Sequence, residues 1–320
     1  MNITKSPETA IRTQELRKQF DEEVTAVDGI NLSIENNSIY ALLGPNGAGK
    51  TTTISILSTQ LKPTSGSALI NGLDTIKAAG AVRNIIGVTF QEMVLDDDLT
   101  GRQVLDFHGR LYKQKKNERH QKIQELLQLV ELDEAADRRC RTYSGGMKRR
   151  LELARGLLTK PKVLFLDEPT TGLDPQNRFN IWSYIRNLKE RQGITILLTT
   201  HYMDEAEALA DKVGIMDKGK IVIEGTPLEL VEGMGADTIL LSGNGDVQKF
   251  LKLLEELLFI DQVSQVGEFI QIGVDNGNKR LTKIVSAAND AGFIINDISV
   301  SKPNLGDVFL KYTGRQLRDI

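Results

Sequence analysis

The feature that most constrains this chain is an octapeptide, GPNGAGKT at positions 44–51, set between an apolar run (38–43) and a stretch of helical character (51–61). It matches G-x-x-x-x-G-K-[ST] in the context that pattern needs, a strand before and a helix after. The residue types follow from the task of holding a polyphosphate. Glycines let successive backbone N–H groups turn toward one concave spot with no side chain in the way. The following helix, with Ile54, Ile56, Leu57 and Leu61 as its apolar positions, aims its unpaired N–H groups and positive dipole end at the same spot. Lys50 places a charge between the terminal phosphates, and the Thr51 hydroxyl takes a coordination site on Mg²⁺. The octapeptide alone does not separate a transport ATPase from a kinase or a GTPase.

Further apolar runs at 85–90, 163–166 and 194–199 read as buried strands. Strands alternating with helices predict a mainly parallel sheet covered on both faces. The run 163–166 ends in Asp167 and Glu168, which a buried strand delivers to the carboxyl edge, where ligands of open α/β sheets bind. Adjacent acids on an extended chain point in different directions. They can therefore take two roles, Asp167 to hold Mg²⁺ directly or through water and Glu168 to polarise the attacking water; without the phosphate loop, a strand-end pair facing solvent would be the favoured reading. Gln91 and His201 follow the runs 85–90 and 194–199 and reach the same edge. Gln91 there can touch Mg²⁺ or water and sense the γ-phosphate, and His201 can donate a hydrogen bond to that phosphate.

Residues 99–160 are mostly helical in pattern, with Leu126, Leu127, Leu129, Val130 and Leu132 on one side of a helix. This reads as a helical subdomain inserted into the α/β core. Within it, YSGGM at 143–147 opens a helix whose face carries Met147, Leu151, Ala154 and Leu158. Ser144 is a good N-cap, and Gly145 and Gly146 at a helix start make a second anion-binding surface. After Glu229 the character changes: strand 238–241, helix 246–258, hairpin 262–266 and 269–274, helix 278–291, strand 293–300 and a short helix 304–312. The order β-α-β-β-α-β is that of a ferredoxin-like unit.

Composition excludes more than it selects. A formal net charge of −3 over 320 residues calls for no nucleic acid, and the basic run 113–122 reads as a solvated helix face. Cys140, the single cysteine, fits a reducing compartment. The leading MNITKSPETA has no apolar segment of a signal peptide. No run of about 18 apolar residues is present to span a bilayer, so action at a membrane requires a partner.

Over residues 10–230 these motifs, in this order, resemble the ATP-binding-cassette (ABC) ATPases. Positions 44–51 look like the Walker A motif, Gln91 like the Q-loop glutamine, Ser144–Gly145–Gly146–Met147 like the signature, 163–168 like Walker B, Leu173 and Asp174 like the D-loop, and His201 like the switch histidine. The resemblance implies a P-loop NTPase core at 1–230 with a helical subdomain near 94–160, and leaves 231–320 as an accessory α+β domain. It implies nucleotide contacts from Gly44, Pro45, Asn46, Gly47, Ala48, Gly49, Lys50, Thr51 and Thr52, with Phe20 where the family stacks an aromatic ring on adenine; taken alone, Phe20 reads as core. Two departures, Tyr143 for Leu and Met147 for Gln, together with PNLGDVFLKYTGR at 303–315, are similar to the drug-resistance and polysaccharide or lipid exporter branch, including the daunorubicin-resistance ATPases. In that family the signature of one copy faces the phosphate loop of another. The expected assembly is therefore a homodimer or paired cassette that clasps ATP and Mg²⁺, held to an integral membrane permease on the cytoplasmic face. The rival is a non-transport ABC protein of the translation or DNA-repair type; these usually carry a second cassette or a long coiled coil, and neither is seen here. A small-molecule kinase would leave the SGG helix and His201 unexplained.

Overall fold

The computed structural model describes residues 9–20, 24–92, 95–233, 237–266 and 269–314. Residues 1–8 of the leading decapeptide, Val94 at the expected subdomain boundary, and Arg315 lie outside the described residues. One compact unit runs to Pro227 and a second begins at Leu228.

The first unit contains β1 (Thr9–Gln19), β2 (Thr25–Ile30), β3 (Ser33–Glu35), β4 (Ile39–Leu43), α1 (Lys50–Leu57), β5 (Ser65–Ile70), β6 (Leu73–Asp74), α2 (Ala79–Arg83), β7 (Ile86–Thr89), α3 (Gly101–Leu111), α4 (Lys116–Leu129), α5 (Gly145–Gly156), β8 (Val163–Asp167), α6 (Pro175–Gln192), β9 (Thr195–Thr200), α7 (Met203–Leu209), β10 (Lys212–Asp217) and β11 (Lys220–Gly225). The helix α8 (Pro227–Glu232) follows. The central sheet has the order β11-β10-β4-β9-β8-β7. Its pairings from β10 to β7 are all parallel, and β11 closes one edge antiparallel to β10. Every residue of β4, β8 and β9 is buried, as a sheet covered on both faces requires. The registers Leu43↔Thr200 and Asp167↔Thr199 set the carboxyl ends of these three strands side by side, and that alignment builds the site.

Sequence patterning did not reveal the second sheet, β2-β1-β5-β6 with β3 on β1, in which all pairings are antiparallel. Its longest strand, β1, has register shifts against each of its three partners, and Glu15 within it has φ +45°. Such irregularities destroy the period-two alternation on which strand recognition rests. The expected helix 51–61 ends earlier, at Leu57, because Ser58 caps it and Thr59 turns left-handed with φ +69°. Leu61 still packs against the core, but from outside the helix.

The helical subdomain consists of α3, capped by a Thr100–Gln103 capping box, with α4 and α5. The basic run 113–122 is not wholly solvated. Arg119 is buried, with Nε 2.6 Å from Asp106 Oδ1 and Nη1 donating to Gln114 O at 2.8 Å. The departure at Tyr143 has a packing reason: the ring is buried and its hydroxyl donates to Ala135 O at 2.7 Å.

The second unit comprises β12 (Asp237–Asn244), α9 (Val247–Glu255), β13 (Ile260–Val266), β14 (Phe269–Val274), α10 (Gly277–Ala291), β15 (Ile294–Ser301) and α11 (Leu305–Thr313). Its sheet order β13-β14-β12-β15 is antiparallel throughout, the arrangement of a ferredoxin-like unit. Phe250 and Phe293 stack at its centre, with centroids 4.8 Å apart. Helix α9 stops at Glu255, short of the expected 258, and Leu258 is fully exposed instead of extending the packed face of Leu251 and Leu254.

Phe165 is wholly buried at the middle of β8. Phe165→Ala is expected to lower the unfolding free energy of the first unit by about 3–5 kcal/mol. Chemical denaturation followed through the fluorescence of Trp182, the one tryptophan in the chain, measures it.

Candidate functional site

Four strands end at one edge, and each delivers a residue expected from the sequence. The phosphate loop leaves β4, with Gly44 N–H donating to Thr200 O at 3.1 Å. Gly44 and Gly49 are glycines for packing reasons as well as for access. A Cβ at Gly44 would stand 2.3 Å from Met216 O, and one at Gly49 would stand 2.1 Å from Ala26 O. Gly49 also has φ +107° and forms the N-cap of α1. Asn46 and Gly47 form the exposed tip; Pro45, Ala48, Gly49 and Lys50 are buried.

Lys50 is only 4 % exposed. Its ammonium donates to Gly44 O at 2.7 Å and Pro45 O at 3.0 Å, and lies 3.3 Å from Glu168 Oε1. Burial lowers its pKa, and the Glu168 and Asp167 charges offset part of that shift. Thr51 Oγ1 donates to Asp167 Oδ1 at 3.2 Å. A hydroxyl and a carboxylate at the mouth of a phosphate loop are the oxygen donors that Mg²⁺ takes alongside water and phosphate. Thr52 follows on α1 and is half-buried.

Asp167 and Glu168 divide differently from the way alternation on an extended strand would divide them. Asp167 is the last residue of β8, whereas Glu168 has left the extended conformation with φ +47°. Its side chain therefore turns back to the phosphate loop. Glu168 Oε1 faces Lys50, and Oε2 accepts from Thr171 Oγ1 at 3.0 Å and sits 3.1 Å from His201 Nδ1. Burial opposes its ionisation, but the His201 ring, the Lys50 charge and the Thr171 hydroxyl outweigh it and bring its pKa down to about 2. A carboxylate so held is ionised at neutral pH and poised to accept a hydrogen bond from water.

The structure thus brings together the phosphate loop, Thr51, Asp167, Glu168 and His201. Gln91 follows β7 at the same edge, but it is exposed and makes no hydrogen bond to Asp167 or Thr51. Ser144, Gly145, Gly146 and Asp174 form a separate group. Ser144 Oγ caps α5 by accepting from Met147 N–H at 3.2 Å. Asp174 caps α6 by accepting from Asn177 N–H at 3.1 Å, and Asn177 Nδ2 donates back to it at 2.6 Å. A Cβ at Gly146 would meet Asn177 Oδ1 at 2.4 Å, so the signature glycines of this protomer pack on its own D-loop helix. Phe20, at 53 % exposure with Lys18 Nζ 5.1 Å from its ring centroid, is not core; its ring is open to solvent.

Three residues that serve this edge escaped the sequence reading. Thr199 Oγ1 donates to Asp167 Oδ1 at 2.5 Å and accepts from Glu168 N–H at 3.0 Å. Glu205 is fully buried on α7, accepting from Thr170 Oγ1 at 2.7 Å and Trp182 Nε1 at 3.0 Å. Arg149 reaches in from α5 to the chain around Glu168. The only advance signal was a polar residue inside an otherwise apolar or helical run.

The family profile described as ABC transporter matches residues 27–171. The daunorubicin resistance ATP-binding protein DrrA3 of Streptomyces coeruleorubidus is 39 % identical over 97 % of this chain and 98 % of its own length. The Nod factor export ATP-binding protein I of Paraburkholderia xenovorans is 37 % identical over 98 % of this chain and 100 % of its own. Among solved structures, a dimeric post-hydrolysis state of the ATP-binding cassette MJ0796 with ADP and Pi matches 68 % of this chain and 98 % of its own, with TM-score 0.61 and 26 % identity.

Thr199→Val keeps the shape but leaves Asp167 one donor short in a buried position. It is expected to lower the unfolding free energy by about 1–3 kcal/mol, measurable by the same denaturation assay.

Proposed function

The chain belongs to the ABC transporter family as an ATP-binding, ATP-hydrolysing subunit of an export system, and from that premise we propose how its residues perform the work. The carrying observation is that Lys50, Thr51, Asp167, Glu168 and His201 converge at one sheet edge, while the signature turn opens α5 and makes its own contacts there and on Leu173 and Asn177. The phosphate-loop amides and Lys50 hold the β- and γ-phosphates of ATP. Thr51 and Asp167, with Gln91, would hold Mg²⁺, which would offset phosphate charge. Glu168 orients the attacking water, and His201 donates to the γ-phosphate. Phe20 stacks on adenine. Little covalent chemistry is asked of the protein; positioning and electrostatics carry phosphoryl transfer.

Ser144, Gly145 and Gly146 complete the γ-phosphate shell of a second protomer, with Asp174 bordering the same interface. Two chains thus bury two ATP molecules between them. Hydrolysis removes the shared anion and adds repulsion between the products, so the dimer opens. A solved cassette of similar fold is dimeric and bound to ADP and Pi, which supports this arrangement. Among the described residues no helix is long and apolar enough to cross a membrane; transport in this reading passes through a separate permease subunit. A groove of about 810 Å³ lined in part by Phe90, His108, Tyr112 and Arg155, with Phe107 and Leu111 exposed on the same helix α3, is the face offered to it. The protein sits on the cytoplasmic side of the membrane. The cargo is of the drug, lipid or polysaccharide kind; two of its relatives are named for daunorubicin resistance and for Nod factor export.

Glu168→Gln is expected to bind ATP and dimerise yet turn over at least 100-fold more slowly, read by steady-state phosphate release and sedimentation; wild-type turnover would end the role given to Glu168. Ser144→Arg is expected to abolish turnover while a single chain still binds ATP with near-normal affinity. Full activity in that variant would rule out a shared site.

A further inference from the structure

Arg149 is 3 % exposed and lies on α5, one turn beyond the signature glycines. Its guanidinium makes four hydrogen bonds, all to main-chain carbonyls. Nε donates to Pro169 O at 2.6 Å and Nη1 to Phe90 O at 2.7 Å; Nη2 donates to Asp167 O at 3.0 Å and Glu168 O at 2.7 Å. These acceptors are the last residue before Gln91 and three consecutive residues centred on Glu168. We propose that Arg149 is the positioning residue that aims Glu168, and that it makes this aim depend on where the signature helix stands.

The physical case begins with the backbone of Glu168. A left-handed φ of +47° is unfavourable for a residue with a side chain and persists only where the surroundings over-determine it. Two elements do so from opposite sides. Strand β9 takes the Glu168 N–H on Thr199 O at 3.2 Å and on Thr199 Oγ1 at 3.0 Å. Arg149 gathers the carbonyls of Asp167, Glu168 and Pro169. Carbonyls of three successive residues converge on one point only when the chain turns as it does here. A planar fork with five N–H donors can serve them together with Phe90 O, whereas an ammonium, with three donors on one atom, cannot. The same guanidinium is carried by the helix whose N-terminus holds Ser144 and Gly145. Displacement of α5 therefore either drags the turn at Glu168 and the start of the Gln91 segment with it or breaks these bonds. Burial lowers the pKa of this guanidinium, and the neighbouring Glu152, Glu205, Asp167 and Glu168 offset part of that shift.

This rests on the reading of Glu168 as the residue that orients water, and the test separates the two. Full-length Arg149→Lys, Arg149→Met, Glu168→Gln and the two double variants are compared for single-turnover hydrolysis of radiolabelled ATP, KM and equilibrium binding of a fluorescent ATP analogue. Both Arg149 variants are expected to lose at least tenfold in the hydrolysis rate while KM and nucleotide affinity stay within about threefold. Each double variant should be no more than about twofold slower than Glu168→Gln alone, since a residue acting through Glu168 has nothing left to aim. Losses that multiply in the double variants, or an Arg149→Lys protein within twofold of wild type, overturn the proposal. So does failure of both Arg149 variants to bind nucleotide, which would make the residue a support of the fold and not of the aim. Wild-type turnover by Glu168→Gln alone would instead refute the role of Glu168.

Discussion

A buried ammonium and a buried carboxylate must satisfy each other, and the edge proposed as the catalytic site is organised around one such pair. Lys50 and Glu168, each about 5 % exposed or less, lie 3.3 Å apart. Removing ions from water is costly unless each has close partners, and here the remaining partners come from three separate segments. The loop carbonyls of Gly44 and Pro45 bind the ammonium; Thr171 and His201 attend the carboxylate. The parallel registry of β4, β9 and β8 makes this possible, since it sets Leu43 beside Thr200 and Thr199 beside Asp167. The fold builds the candidate site mainly by bringing three strand ends to one level.

Much of that was legible in the residues because it follows from local chemistry. The glycine loop between strand and helix, the acids at the end of an apolar strand and the serine-glycine cap each state their conformation in a few neighbouring positions. The β-α-β-β-α-β unit was legible for a similar reason: Ile239 and Leu241 in β12 and Ile270, Ile272 and Val274 in β14 alternate cleanly onto one buried face. What stayed hidden depends on contacts distant in sequence. Arg149 reads as one of three consecutive basic residues on a helix, which predicts a solvated face, yet it is buried because four carbonyls at and just beyond the ends of β7 and β8 await it. The antiparallel sheet was masked by register shifts and the left-handed Glu15. Leu258 matched a helical period and turned out fully exposed, since α9 had already ended at Glu255. Glu168 was assigned to the right edge for an incomplete reason, because its orientation comes from a left-handed turn and not from strand alternation.

The two departures from the usual signature separate into packing and surface. Tyr143 buries its ring and bonds Ala135 O inside the helical subdomain, so a hydroxyl has been accommodated where an aliphatic side chain would make no such bond. Met147 is only half-buried on the first turn of α5. The signature helix is therefore anchored in two directions, by Tyr143 toward the helical subdomain and by Arg149 toward the catalytic edge. A helix held in this way transmits displacement, and that property is what a motor needs if closure around ATP is to be felt elsewhere.

In the composite arrangement proposed above, one protomer holds only half of each catalytic site. Mixing two inactive proteins tests it most directly. In a mixed dimer of Lys50→Ala with Ser144→Arg, one site combines both lesions and the other combines the intact phosphate loop of one chain with the intact signature of its partner. The account predicts that the mixture hydrolyses ATP although neither protein does so alone, with a maximum near equal proportions. Mixed dimers that form, as shown by co-purification of differently tagged chains, and yet stay inactive at every ratio would contradict it.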